Sequence, residues 1–238
     1  VYALNDIINR TEDRLHPVKR LRPVAAGELS AAKAGVLSVV CVVAGTGLLL
    51  RLDRTAGMIA ALYFVLMAVY SIRLRRMFIL DVIVIAVGFV LRIQTGACLI
   101  EEPVSHWLLL CTFTIALFLG MIKRRQEIAA MPVAEQQGGR TVLADYPDLG
   151  IIDGWTNVLA GMTVLCYALY TVDPETIAKH HTGALIYTLP FVLYGVFRYQ
   201  KLALTGRAGE DPTSLIIKDA GIRSVVVIWV VVVAAILY

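Results

Sequence analysis

The sequence predicts an all-α protein, a polytopic membrane bundle of about seven transmembrane helices. Three observations carry that expectation. Of 238 residues, 58 % are hydrophobic and the mean hydropathy is +0.74, against ~45–50 % apolar residues in ordinary soluble domains. The apolar residues come in long blocks rather than in 3.6-residue stripes, as in helices whose outer faces meet lipid. Basic residues are dense in every other connection between the blocks, the pattern by which membrane proteins mark their cytoplasmic side.

Taken in order, Val1-Tyr2-Ala3-Leu4 reads as the last turn of a helix whose body is missing. Seven apolar segments follow: Ser30 to Leu50, Ala56 to Ile72, Phe78 to Ile100, Trp107 to Ile122, Ile151 to Thr171, Gly183 to Phe197 and Asp219 to Tyr238. Most reach the ~17–25 residues a crossing needs, and Gly183 to Phe197 is the short one. Cys41, Cys98, Cys111 and Cys166 all lie inside these blocks and form no CxxC pair, so they are read as small packing residues. Eighteen of the 22 Lys and Arg fall in four alternate stretches, Arg10 to Lys33, Arg73 to Arg76, Lys123 to Arg140 and Arg198 to Arg223. The opposite connections hold Arg51, Arg54 and Lys179, and Arg92 is intramembrane. The expected protein is therefore integral to a bacterial-type inner or plasma membrane, with the basic loops in the cytoplasm. The net charge of +4 reflects that asymmetry and excludes a nucleic-acid partner, because no basic helix or stacking platform accompanies it. One domain over residues 1–238, incomplete at its N-terminus, is expected.

Chemistry concentrates at the first cytoplasmic stretch. Asn5, Asp6, Asn9 and Asp13 recur at steps that share one helix face. Lys19, Arg20 and Arg22 follow at once. Oxygen ligands beside cations suit Mg²⁺ gripping a diphosphate whose outer oxygens Lys19 and Arg22 hold. Asp6 and Asp13 would be the anionic, catalytic ligands, Asn5 and Asn9 neutral ones or outer-shell partners. A capped helix end before an ordinary basic loop is the bland alternative. His16 is expected to cap or orient the loop.

A second cluster, Lys123-Arg124-Arg125-Gln126-Glu127, ends the fourth apolar segment on the same side. Lys123, Arg124 and Glu127 lie on neighbouring faces and read as phosphate binding, with Glu127 holding Lys123 or reaching a hydroxyl. A cationic helix C-terminus favoured by the dipole is the competing reading. Arg92 is too costly to face lipid and should line a cavity or pair internally. Asp81 is about three turns away on the same helix. In the last cytoplasmic connection, Arg198-Tyr199 and Asp211-Pro212 through Asp219 are polar enough to cover a site.

Asn5-Asp6-x-x-Asn9-x-x-x-Asp13 resembles the first aspartate-rich motif of the UbiA superfamily of intramembrane prenyltransferases. His16-Pro17-x-Lys19-x-x-Arg22-Pro23 is closest to its decaprenyl-phosphate phosphoribosyltransferase branch. Tyr70-Ser71 with Arg75, Gly88 to Arg92 with Gly96, Lys123-Arg124-x-x-Glu127, Arg198-Tyr199 and Pro212 to Asp219 match that branch in order. Two departures stand out: Asn9 replaces the usual Asp, and Lys123-Arg124-x-x-Glu127 stands where other branches carry a second Asp-rich motif. The resemblance implies nine helices, so the first and most of the second would precede Val1. It implies Mg²⁺-dependent transfer of 5-phosphoribose from 5-phosphoribosyl diphosphate (PRPP) to a polyprenyl (decaprenyl) phosphate, serving the cell envelope. Tyr70, Arg92, Lys123, Arg124, Glu127 and Arg198, with Lys19 and Arg22, would bind substrate at a cytoplasmic opening. Alternatives left open are prenyl transfer from a prenyl diphosphate to an aromatic or other small acceptor, and a non-catalytic lipid-binding membrane partner. Homo-oligomerisation is left open.

Overall fold

The computed structural model describes residues 2–15, 19–130, 146–205 and 217–238, and no strand occurs among them. The chain forms two compact units, Val1–Pro103 and Val104–Tyr238. In the first, α1 (Tyr2–Ile8), α2 (Arg10–Leu15), a 3-10 turn (Lys19–Leu21) and the short α3 (Pro23–Ala26) precede three long helices. These are α4 (Ala31–Leu52), α5 (Arg54–Ile72) and, after a 3-10 turn at Leu74–Arg76, α6 (Leu80–Leu99). The central α5 packs against both α4 and α6, and α1 lies across α4 and α5.

Local chemistry sets the corners. Asp53 ends α4 and caps α5: its N–H reaches Leu49 O, and its Oδ1 accepts from Ala56 N at 2.6 Å. That turn brings the helices so close that a Cβ on Gly57 would lie 2.5 Å from Leu50 Cγ and 2.7 Å from its Cα, so only glycine fits. At the start of α6, Ile79 has φ 62°, a conformation that strains a β-branched residue. The fully buried Asp81 follows in the first turn, where the helix dipole favours a carboxylate.

The second unit contains α7 (His106–Ala130), α8 (Leu149–Val172), α9 (Pro174–His180), a 3-10 turn (Ala184–Thr188), α10 (Leu189–Leu204) and α11 (Ala220–Leu237). Its core joins Phe118 and Ile122 of α7, Ala160 of α8, Val196, Tyr199 and Ala203 of α10, and Ile222 of α11. A buried hydrogen-bond chain ties three elements. Trp229 Nε1 donates to Tyr167 Oη at 3.0 Å, Tyr167 Oη lies 2.6 Å from Thr188 Oγ1, and Thr188 donates to Leu185 O at 2.6 Å. Within the apolar helices, Ser38, Ser71, Thr95 and Thr163 donate to the carbonyl one turn back. No hydroxyl among these four is left facing hydrocarbon.

Among the described residues six helices, α4, α5, α6, α7, α8 and α11, are long and apolar enough to cross a bilayer. Val36, Val39, Val43 and Leu48 of α4, with Val227 and Val231 of α11, are each more than half exposed. Such continuous apolar surface suits lipid rather than water. The seventh sequence segment, Gly183 to Phe197, is divided between the 3-10 turn and α10. At 16 residues, α10 rises about 24 Å, short of the ~30 Å hydrocarbon core. The tighter turn before it supplies additional length.

Candidate active site

In the first unit the opening motif is built as its spacing predicts. The helical register runs through the turn at Asn9, whose N–H bonds Asn5 O at 2.9 Å while Asp13 N bonds Asn9 O at 2.8 Å. Asn5, Asn9 and Asp13 therefore stack one turn apart. Asn9 and Asp13 are buried. Arg22 reaches Asp13 from the N-cap of α3, a helix started by Pro23 and ended by Gly27 at φ 86°. Arg14 Nε, donating to Ala25 O at 3.1 Å, ties α2 to α3.

The result is a convergence of charge. Arg22 Nη1 donates to Asp6 Oδ1 at 2.7 Å and to Asp13 Oδ2 at 3.0 Å. One nitrogen thus serves two carboxylates, and Asp13 is only 6 % exposed at its side chain. A buried carboxylate requires such a partner.

This geometry tests the expected metal. Oxygens of Asp6 and Asp13 both face one cationic nitrogen, at 2.7 and 3.0 Å, and two carboxylates directed at one point are the donor type a divalent ion takes. Among the described residues no three His, Cys, Asp or Glu side chains converge. Of the two parts expected of Asn9, oxygen ligand or outer-shell partner, its amide nitrogen serves the second. Its Nδ2 donates to Asn5 Oδ1 at 2.8 Å and to Asn5 O at 2.9 Å, so it braces Asn5. Asn5 Oδ1 keeps a second lone pair for a ligand.

The other candidates of this unit are placed as follows. Lys19 lies in the 3-10 turn, its side chain outside the described residues, as is His16. Tyr70 is half-buried in the last turn of α5, next to buried Ser71. Arg92 is exposed, with Cζ 5.9 Å from the centroid of the Phe89 ring. Phe89, one turn back, thus gives it a cation–π contact, and Asp81 on the same helix is buried.

In the second unit, the C-terminal end of α7 sorts its charges by face. Lys123 is exposed. Arg124 pairs with Glu127, so Glu127 holds Arg124 and not Lys123. Arg125, the neighbour in the cluster, donates Nε to Asp153 Oδ1 at 2.9 Å and joins α7 to α8. Gln126 carries two buried amide atoms with no hydrogen-bond partner among the described residues. Deeper in the unit, Gln200 Nε2 donates to Asn157 Oδ1 at 2.6 Å.

Arg198 is engaged on every side. Its Nε and Nη2 donate to Asp219 at 2.6 and 3.1 Å, and its Nη1 donates to Tyr194 Oη at 2.7 Å. Asp219 also caps α11, accepting from Ile222 N at 2.8 Å. The Arg198 hydrogen bond first, and the capping N–H second, hold this carboxyl down at about 2. A Cβ on Gly221 would lie 2.3 Å from Arg198 Cζ, so the guanidinium packs on bare backbone. Pro212 and most of the polar run before Asp219 lie outside the described residues.

Sequence reading missed Asp153, Asp219 and Gly221 as partners. A lone carboxylate in an apolar run and an Asp-x-Gly at a helix start were the available signals. They name no partner, because each partner lies on another helix.

Comparison with known proteins places this architecture. The profile of the UbiA prenyltransferase family matches residues 1–231. Protein y4nM of Sinorhizobium fredii is 30 % identical over 194 residues, covering 79 % of this chain and 37 % of its own length, so the chain spans well under half of that relative. Decaprenyl-phosphate phosphoribosyltransferase of Mycolicibacterium smegmatis is 27 % identical, covering 100 % of this chain and 76 % of that protein. The enzyme of the same name from Corynebacterium glutamicum is 29 % identical, covering 97 % and 69 %. With its all-helical build and six bilayer-length apolar helices, the chain is an integral membrane transferase and belongs to the UbiA prenyltransferase family.

Proposed function

We propose that this protein transfers 5-phosphoribose from PRPP to a polyprenyl phosphate, releasing diphosphate, from a site that faces the cytoplasm within a single transmembrane domain. The observation that carries the reading is the meeting of Asp6 and Asp13 on one cationic nitrogen beside a basic segment. The exposed Lys123 supports it, as do relatives named for this reaction over the length of the chain.

In the reaction, an oxygen of the lipid phosphate forms a bond to C1 of ribose as the bond from C1 to the diphosphate oxygen breaks. Asp6 and Asp13 would hold Mg²⁺, with Asn5 beside them. Bound there, the ion supplies charge neutralisation for the departing diphosphate as C1 gains oxocarbenium character. Arg22 would take diphosphate oxygens; Lys19, by its place in the opening motif, and Lys123, by its place in the second cluster, are proposed to bind phosphate of the donor. Arg124 reaches phosphate only by sharing its bond with Glu127. The acceptor is already an anion, so the chain needs no strong general base.

The test is incubation of membranes holding the full-length protein with labelled PRPP and polyprenyl phosphate, followed by lipid extraction. Label in the lipid fraction, dependent on divalent cation, is the expected result. Label delivered only from a prenyl diphosphate to an aromatic acceptor would replace this reading with prenyl transfer.

A further inference from the structure

We propose that the site takes its divalent cation as the diphosphate chelate and resists the free ion, because Arg22 competes with the metal for the same two oxygens. The proposal rests on the metal-dependent reading above and deepens it. Arg22 Nη1 lies 2.7 Å from Asp6 Oδ1 and 3.0 Å from Asp13 Oδ2. A cation that bonds both oxygens must therefore displace the guanidinium.

What happens to Arg22 then decides the affinity. A free cation would leave a guanidinium beside a new dication, without the carboxylates that had paired with it, and like charges at that range repel. Phosphate oxygens arriving with the metal offer the planar, charge-assisted acceptors that a guanidinium suits. Arg22 would then pass from carboxylate to phosphate as the metal passes from phosphate to carboxylate, and no charge is stranded.

The side chains suit this exchange. Asp13 is 6 % exposed and Asp6 20 %, whereas Arg22 is 37 % exposed. Asp13 is fixed in the helical stack with Asn5 and Asn9 and Asp6 lies in α1 beside Asn5, while the arginine approaches from solvent. Its backbone is set by Pro23 at the start of α3, so its head can turn without unpacking a helix. By linkage, each ligand must then tighten the other, on the order of 5- to 150-fold.

The experiment uses the full-length protein in detergent, Mn²⁺ as the metal and inorganic diphosphate as the non-reacting ligand. Protein-bound Mn²⁺ is followed by equilibrium dialysis and by its electron spin resonance. Wild type should bind Mn²⁺ alone weakly, and retain Mn²⁺ and diphosphate together about 5- to 150-fold more tightly. Arg22→Gln should bind Mn²⁺ alone more tightly than wild type and lose the gain from diphosphate. Its melting temperature should rise more on adding Mn²⁺ than that of wild type. Arg22→Lys, which keeps the charge but not the fork, should fall between the two and serves if the glutamine variant does not fold. Equal or weaker Mn²⁺ binding by both Arg22 variants would overturn the competition while leaving the metal site standing. Failure of wild type and variants to retain Mn²⁺ with or without diphosphate would overturn both.

Discussion

Asn9 shows how one side chain can look like a ligand and act as a brace. In sequence it is a neutral oxygen in a row of acids. In the fold its amide nitrogen faces two oxygens of Asn5. Asn9→Asp should therefore lower stability and weaken metal binding despite the added negative charge. It removes two hydrogen bonds and sets a carboxylate against two acceptors, costing about 1–3 kcal/mol. Thermal unfolding and Mn²⁺ binding check this, and an Asp variant that binds metal more tightly at equal stability would reject it. Asp6→Ala or Asp13→Ala should abolish transfer with membrane insertion intact, as read by lipid-extraction assay and membrane fractionation. Lys123→Ala should lower kcat/KM for PRPP by about 10- to 150-fold, the value of a charge-assisted bond of ~1.5–3 kcal/mol to phosphate. The control is Lys201→Ala, at another exposed lysine. Arg125, the obvious neighbour, is unsuitable because its loss would strand Asp153.

At the scale of elements, the junction of α10 and α11 depends on a clamp at the helix start. Arg198 lies against Gly221 and holds Asp219, which in turn caps α11. Gly221→Ala should expel the guanidinium and destabilise the pairing of these helices, visible as a lower unfolding temperature. The clamp has a pH window. The carboxyl of Asp219 is lowered from 3.8 to about 2 on folding. A depressed carboxyl stabilises the native state fully above its unfolded value and loses that contribution as pH falls through its folded value. Stability referred to this junction should thus be flat above pH 4 and decline from about 4 toward about 2. Asp219→Asn should remove that segment of the acid profile. Most helix starts and ends were legible beforehand to within a few residues, as with Ala31–Leu52 and Ala220–Leu237. The break before α10 was not, since a 3-10 turn and an α-helix of the same apolar residues share a composition.

For the molecule as a whole, membrane insertion follows from six bilayer-length helices among the described residues, and the sidedness proposed from the alternation of its cations is open to test. In a variant lacking exposed Cys41, a cysteine at Arg73 should react with reagents only from the cytoplasm, and one at Glu102 only from outside. Both positions are exposed at opposite ends of α6, so labelling from one side would overturn the alternation. Positions such as Gly138 and Gly206, natural choices from sequence, lie outside the described residues.

Sequence by itself determined the all-helical membrane build, the blocks that cross, and the shared face of Asn5, Asn9 and Asp13. These follow from transfer energies and helical periodicity, which act within a segment. Only tertiary structure decided where each guanidinium goes: Arg22 to Asp6 and Asp13, Arg125 to Asp153, Arg198 to Asp219. Three of these four acids lie more than ten residues away and Asp13 lies nine. The helical i, i+3 and i, i+4 rules are silent beyond one turn. A cation chooses among distant acids by burial and geometry, and those exist only once the helices have packed.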